Sequence, residues 1–100
     1  MLIIKVIKAK TFWEKTVGLI GKKSPFPLVI KSRFGIHTFG LKFPIDVVVL
    51  DKKQRVAVMK QNLLPNTFFF WNPIYDLILE LPSGTIKHRR IKKRVKIRFS

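Results

Sequence analysis

The sequence predicts a mainly β protein, a sandwich or jelly-roll-like barrel with one short N-terminal helix, in a single domain over residues 1–100. Short apolar or alternating runs recur along the chain and are separated by turn residues, as at Asn72-Pro73 and Pro82-Ser83-Gly84. Only residues 12–20 have the apolar spacing of an amphipathic helix. The length is that of one ordinary domain, and 47% hydrophobic residues supply enough apolar surface for one core.

The first third of the chain is predicted to contain a strand, the helix and a second strand. Residues 2–8 are rich in β-branched residues, which favour a strand. Thr11 and Glu14 have the spacing of a capping box, and apolar residues then recur every three or four positions. The pattern therefore predicts a helix over residues 12–20 and a strand over residues 28–31.

The rest of the chain is predicted to form strands and turns. The predicted strands cover residues 36–43, 45–50, 55–61, 74–81 and 94–99. The polar segment 51–54 predicts a hairpin turn between two of them. Ser83 could cap a short helical turn over residues 85–89. The first and last strands are expected to lie together, since chain ends often do.

The charge is strongly positive, with a formal net charge of +16 at pH 7. Residues 1–33 carry eight Lys/Arg and one acid (+7), residues 34–80 carry five and four (+1), and residues 81–100 carry eight and none (+8). Such a chain needs counter-ions or an anionic partner, and nucleic acid, anionic lipid and a ribosomal surface all qualify. The alternative is a solvated, lysine-rich surface without a specific partner.

The composition also narrows the class of protein. The chain has no cysteine, so disulfides and thiolate metal sites are excluded, which is typical of a reducing cytoplasm. The N-terminal apolar run is too short for a signal peptide, and no stretch approaches the roughly 18 apolar residues of a membrane helix. We expect a soluble, cytoplasmic protein with no membrane span, no cofactor and no metal site.

Several ordered motifs resemble the domain-of-unknown-function 192 family over roughly residues 6–99. The matching strings are Gly18-Leu19-Ile20-Gly21, Phe43-Pro44-Ile45-Asp46-Val47-Val48-Val49-Leu50-Asp51, Val56, Asn62-Leu63-Leu64-Pro65 and Leu79-Glu80-Leu81-Pro82-Ser83-Gly84-Thr85. The strings around Asp46 and Glu80 are the specific ones. The resemblance implies a mostly β, jelly-roll-like fold with a short helix near the start, and it implies no established activity.

The chain departs from that family at two places. Leu41 stands where the family commonly has Met before the Pro-x-Asp string, and Lys93-Arg94 stands where Gly-Asp usually precedes the last strand. This chain therefore has no acidic residue at the second position, where the family usually has Asp. The family's frequent export signal or membrane anchor has no counterpart either, which agrees with a cytoplasmic location.

Asp46, Glu80 and His37 are the candidate catalytic residues. A carboxylate among core-type residues, as at Asp46, could act as a general acid or base, and Glu80 could face the same cleft. The structural interpretation has Asp46 accepting backbone hydrogen bonds or pairing with a cation, and Glu80 forming a salt bridge. His37 shares an apolar face with Phe39 and Leu41, so a hydrogen-bonded core histidine is the alternative to catalysis.

The aromatic run Phe68-Phe69-Phe70-Trp71 has two interpretations. In one, Phe69 and Trp71 are exposed and stack on single-stranded bases. In the other, Phe68 and Phe70 fill the core while Phe69 and Trp71 cover an edge or loop. A third possibility is a protein partner that covers the run.

The C-terminal basic tract is the favoured functional segment. Its candidate anion-binding residues are Lys87, Arg89, Arg90, Lys92, Lys93, Arg94, Lys96 and Arg98. They predict a non-enzymatic module that binds an anionic partner such as nucleic acid through phosphate contacts. The alternative hypotheses are a small-molecule binder or small enzyme with a pocket around Asp46, Glu80 and His37, and a protein-interaction module.

Overall fold

The computed structural model describes residues 1–8, 27–33 and 35–100. These residues form nine strands and one short helix, which confirms the prediction of a mainly β protein. In chain order the elements are β1 (Leu2–Ile4), β2 (Ile7–Lys8), β3 (Leu28–Lys31), β4 (Gly35–His37), β5 (Ile45–Leu50), β6 (Val56–Leu63), β7 (Phe68–Phe70), β8 (Leu77–Pro82), α1 (Thr85–His88) and β9 (Ile97–Phe99). The predicted helix over residues 12–20 lies outside the described residues.

The largest sheet has five strands in the order β2-β3-β8-β5-β6. β5 pairs antiparallel with both β6 and β8, and every residue of β5 is buried. This two-sided burial explains the run of branched apolar residues, because neither face of the strand meets water. The predicted hairpin is confirmed: Asp51 Oδ1 accepts the backbone N–H groups of Lys53 and Arg55 at 2.8 and 2.9 Å and so holds the turn.

A two-stranded parallel sheet of β1 and β9 covers one face of the large sheet. Ile4 and Ile97 are buried in one core cluster with Val48, Leu79 and Leu81. The expected meeting of the first and last strands is thus confirmed. Residues 2–8, however, form two strands in two different sheets, because β2 pairs with β3 instead of continuing beside β9.

The antiparallel pair of β4 and β7 covers the other face. Ile36 and Phe69 face inward and pack against a second core cluster that contains Val47, Val49 and Ile78. The strand predicted over residues 36–43 ends at His37. It ends there because Thr38 turns inward, and its carbonyl accepts the N–H of Leu41 at 3.1 Å, which closes a turn.

Helix α1 begins without the cap that the sequence suggested. Its N-cap is Gly84 at a φ of 92°, and no side chain of the cap residue bonds the helix. The Ser83 hydroxyl instead donates to Asn62 Oδ1 at 2.9 Å. Within residues 1–8, 27–33 and 35–100, no helix is long and apolar enough to cross a membrane.

Gly35 lies opposite Phe70 in the β4–β7 ladder and allows the two strands to approach closely. A Cβ atom at this position would lie 2.5 Å from the carbonyl oxygen of Phe69 and 2.6 Å from the Phe70 ring. We predict that Gly35→Ala destabilises the protein by about 1–3 kcal/mol, the usual cost of overpacking. Thermal unfolding followed by circular dichroism measures the destabilisation.

Lys42→Ala is the control, because the Lys42 side chain is exposed. It should change stability by less than about 0.5 kcal/mol. An unchanged melting temperature for Gly35→Ala would contradict the close approach.

Candidate functional site

Asp46 is a structural residue of the core. It has no exposed surface. Its Oδ1 accepts the backbone N–H of Asn62, and its Oδ2 accepts the backbone N–H of Ile86, both at 2.9 Å. The second bond satisfies an amide in the first turn of α1 that has no partner within the helix. The interpretation of Asp46 as an acceptor of backbone hydrogen bonds is confirmed.

Glu80 is also buried, and its neighbours in the sheet are apolar. It lies between Leu28 of β3 and Val47 of β5 in the sheet register. Burial away from water penalises the ionised carboxylate and raises the pKa of Glu80 from 4.5 to about 7. Glu80 therefore titrates near neutral pH inside the fold.

The structure does not bring Asp46, Glu80 and His37 together. Asp46 is paired with Leu81, on the face covered by β1 and β9, whereas Glu80 is paired with Val47, on the face covered by β4 and β7. Adjacent rows of an antiparallel pair project to opposite sides, so a sheet separates the two carboxylates. The alternative of a paired-carboxylate pocket is therefore not supported by this geometry.

His37 matches neither the catalytic nor the core interpretation. It is exposed, and its ring stacks on that of Phe39 with centroids 5.4 Å apart. The carboxylate of Asp46, the proposed orienting partner, lies in the core on the far face of the large sheet. The parts of the chain that the structure describes contain no group of three His, Asp or Glu side chains that could hold a metal ion.

All eight candidate anion-binding residues of the C-terminal tract are exposed. The structure joins four of them to one region. Lys96 and Arg98 line an open pocket of about 330 Å³. Arg94 receives a 3.3 Å hydrogen bond on its carbonyl from Arg55 Nη1, and Arg89 Nη2 donates to the carbonyl of Ile3, the residue opposite Arg98, at 3.0 Å. Of the eight, only Lys96 and Arg98 line this pocket; the pocket lining contains none of Lys87, Arg89, Arg90, Lys92, Lys93 and Arg94.

Three further cations belong to the same region and were missed from the sequence. Lys52 and Lys53 line the same pocket, and Arg55 forms an antiparallel bridge with Lys96. They come from the β5–β6 turn, which the sequence identified as a turn but could not place beside the last strand. We call the combined set the basic surface: Lys52, Lys53, Arg55, Arg89, Lys96 and Arg98.

The described acidic residues leave this charge largely uncompensated. Asp46 and Glu80 are buried, so neither can contact an exposed cation. Asp51 lies in the adjacent turn, and its single negative charge offsets only part of the positive charge of these cations. Like charges at short range repel each other, and a bound anion relieves that repulsion.

The aromatic run faces the opposite way from the expected orientation. Trp71 is only 8% exposed, and its Nε1 donates to the carbonyl of Tyr75 at 3.0 Å. Phe69 packs in the same core cluster. Phe68 and Phe70 are 56% and 66% exposed. Phe69 and Trp71 are therefore unavailable for stacking, because pairing of Phe69 with inward-facing Ile36 fixes which side of β7 enters the core.

Removal of the Asp46 carboxylate leaves the buried N–H of Ile86 and the partly buried N–H of Asn62 without acceptors. We predict that Asp46→Ala lowers the free energy of unfolding by about 3 kcal/mol or more, the cost of stranding buried donors. Urea unfolding measures the change. Asp76→Ala is the matched control and should change stability by less than about 1 kcal/mol. Equal effects of the two substitutions would contradict the role of Asp46.

The raised pKa of Glu80 predicts a specific dependence of stability on pH. Between pH 4.5 and about 7 the folded protein retains a proton that the unfolded chain has released. Stability therefore falls as pH rises through this window. Glu80→Gln should match the wild type at pH 4 and exceed it at pH 8 by about 3 kcal/mol, the free energy of that pKa difference. Parallel melting curves at the two pH values test this, and an equal gain at both would contradict it.

Comparison with known proteins relates the chain to two solved structures. No family model matches the chain, and no curated protein matches it. A protein of unknown function from Novosphingobium aromaticivorans DSM 12444 superposes with a TM-score of 0.81 at 18% identity, over 91% of this chain and 71% of that one. A "putative transcription regulator" from Sinorhizobium meliloti 1021 superposes with a TM-score of 0.75 at 14% identity, over 89% of this chain and 76% of that one. At these identities the likeness establishes a shared β-rich fold.

Proposed function

We propose that this chain is a non-enzymatic binding module that holds nucleic acid through its basic surface. The observation that carries the proposal is the convergence of Lys52, Lys53, Lys96 and Arg98 on one open pocket. They come from two segments far apart in sequence, so the fold itself gathers the charge. Phosphates neutralise such a cluster and release the counter-ions condensed on the nucleic acid, which favours binding.

The geometry favours this function over the small-enzyme alternative. Such a small enzyme would need the side chains of Asp46, Glu80 and His37 within reach of one substrate. The two carboxylates lie on opposite faces of the large sheet, and His37 is on the outer surface. Binding of a polyanion, in contrast, requires only that the surface cations lie near one another.

Three finer assignments accompany the proposal. Membership of the domain-of-unknown-function 192 family is supported by the strings around Asp46 and Glu80, which occupy paired strands β5 and β8. A sandwich or jelly-roll-like classification is supported by small sheets on both faces of a larger one. A cytoplasmic location agrees with the cysteine-free composition.

We predict that Lys96→Gln/Arg98→Gln weakens binding to a labelled oligonucleotide by roughly an order of magnitude or more at low salt. The slope of log affinity against log salt should decrease by about one for each phosphate that the variant no longer neutralises. Fluorescence anisotropy titrations from about 50 to 200 mM salt measure both quantities.

Lys31→Gln/Lys42→Gln removes the same number of positive charges from exposed positions outside the basic surface. It should change affinity and salt slope much less. Equal effects of the two double variants would mean that net charge, and not the basic surface, governs binding. No binding by the wild type in low salt would end the proposal.

A further inference from the structure

Four exposed aromatic rings lie side by side on the outer face of the β4–β7 pair. Phe68 and Phe70 are nearly parallel, with centroids 5.6 Å apart and an interplanar angle of 13°. Phe39, which is 41% exposed, meets Phe68 edge-on at 4.8 Å, and His37 stacks on Phe39. We call His37, Phe39, Phe68 and Phe70 the aromatic surface. It is contiguous, since each ring contacts the next.

The fold holds this surface rigidly. Thr38, between two of the rings, is fully buried. Its Oγ1 donates to the carbonyl of Leu64 at 2.7 Å and accepts the N–H of Thr67 at 2.9 Å, while its backbone N–H donates to the carbonyl of Thr67 at 2.9 Å. The loop that carries Phe39 is thereby fastened to the loop that leads into β7. Rings held in this way lose little freedom when a ligand binds.

Exposed aromatic rings of this kind are typical of surfaces on which nucleobases stack. Full burial of one phenylalanine side chain contributes about 1.5–3 kcal/mol, and the partial exposure of Phe39, Phe68 and Phe70 leaves a comparable free energy unused. Nucleobases are flat and unpaired in a single strand, and stacking of one base on an aromatic side chain is worth about 1–3 kcal/mol. Because every base has a π-face, such a surface binds single strands with little regard to sequence.

Edge strand β6 connects the aromatic surface to the basic surface. Its first residue, Val56, donates to the carbonyl of Val95 at 2.9 Å, next to the pocket cations. Its last residue, Leu63, precedes the Leu64 carbonyl that Thr38 holds. β6 spans about 26 Å at 3.3 Å per residue, and Lys60 is exposed between its ends.

We propose that the aromatic surface stacks the bases of a single-stranded nucleic acid whose phosphates contact the basic surface. The inference rests on the proposed function and adds the class of nucleic acid. A basic track and an aromatic platform together bind single strands in other proteins, and here a strand that uses both would run along edge strand β6, from one side of the large sheet to the other. A duplex keeps its bases stacked within the helix, so it gains nothing from the exposed rings.

The test compares two single-stranded oligonucleotides of about 12 residues, a length suited to one small domain. One carries bases and the other is abasic throughout, so their phosphate charges are equal. The wild type should bind the base-containing strand roughly tenfold or more tightly than the abasic strand. Phe68→Ala/Phe70→Ala should remove this preference and leave abasic binding unchanged, whereas Phe68→Tyr/Phe70→Tyr should retain it. Since both rings are exposed, all three proteins should melt at similar temperatures.

The outcomes separate this inference from the proposed function. Equal wild-type affinity for both strands overturns the stacking inference and leaves the phosphate-binding proposal intact. Absence of binding to either strand overturns both. If light scattering shows a wild-type dimer and a monomeric Phe68→Ala/Phe70→Ala variant, the rings serve an interface between two copies, and the stacking inference fails.

Discussion

The burial of β5 and β8 on both faces is the constraint from which the rest of the structure follows. Each strand has alternating side chains, so neighbouring residues enter different core clusters. Both faces must then be covered, and one short sheet covers each. The chain ends form one cover and the residues around the aromatic run form the other, which places the basic and aromatic surfaces on opposite sides of the large sheet.

Because of the same constraint, the carboxylates of Asp46 and Glu80, in neighbouring strands, lie on opposite faces of the large sheet. Asp46 projects toward the start of α1 and meets two backbone N–H donors. Glu80 projects to the other side, where burial away from water raises its pKa to about 7. Neither carboxylate is positioned against the other, so the two cannot act as acid and base on one substrate. Because both are buried, neither carboxylate can contact an exposed cation of the basic surface.

The features suited to binding therefore lie on the surface. The basic surface combines a turn from the middle of the chain with the last strand, and edge strand β6 extends from it toward four exposed rings. A flexible polyanion with flat bases matches both features, because its phosphates and bases can contact separate sites at once. A compact anion would use the pocket alone.

The sequence by itself determined the β class, the hairpin around Asp51 and the positions of β3 and β5, because these depend on side-chain alternation and local turns. It also identified the exposed cations of the last twenty residues. Tertiary structure decided which face of β7 enters the core, since either alternative in Phe68-Phe69-Phe70-Trp71 buries two large rings and only pairing with Ile36 distinguishes them. It likewise decided that Asp46 and Glu80 diverge and that Lys52 and Lys53 join Lys96, because contacts between distant segments leave no local pattern in the chain.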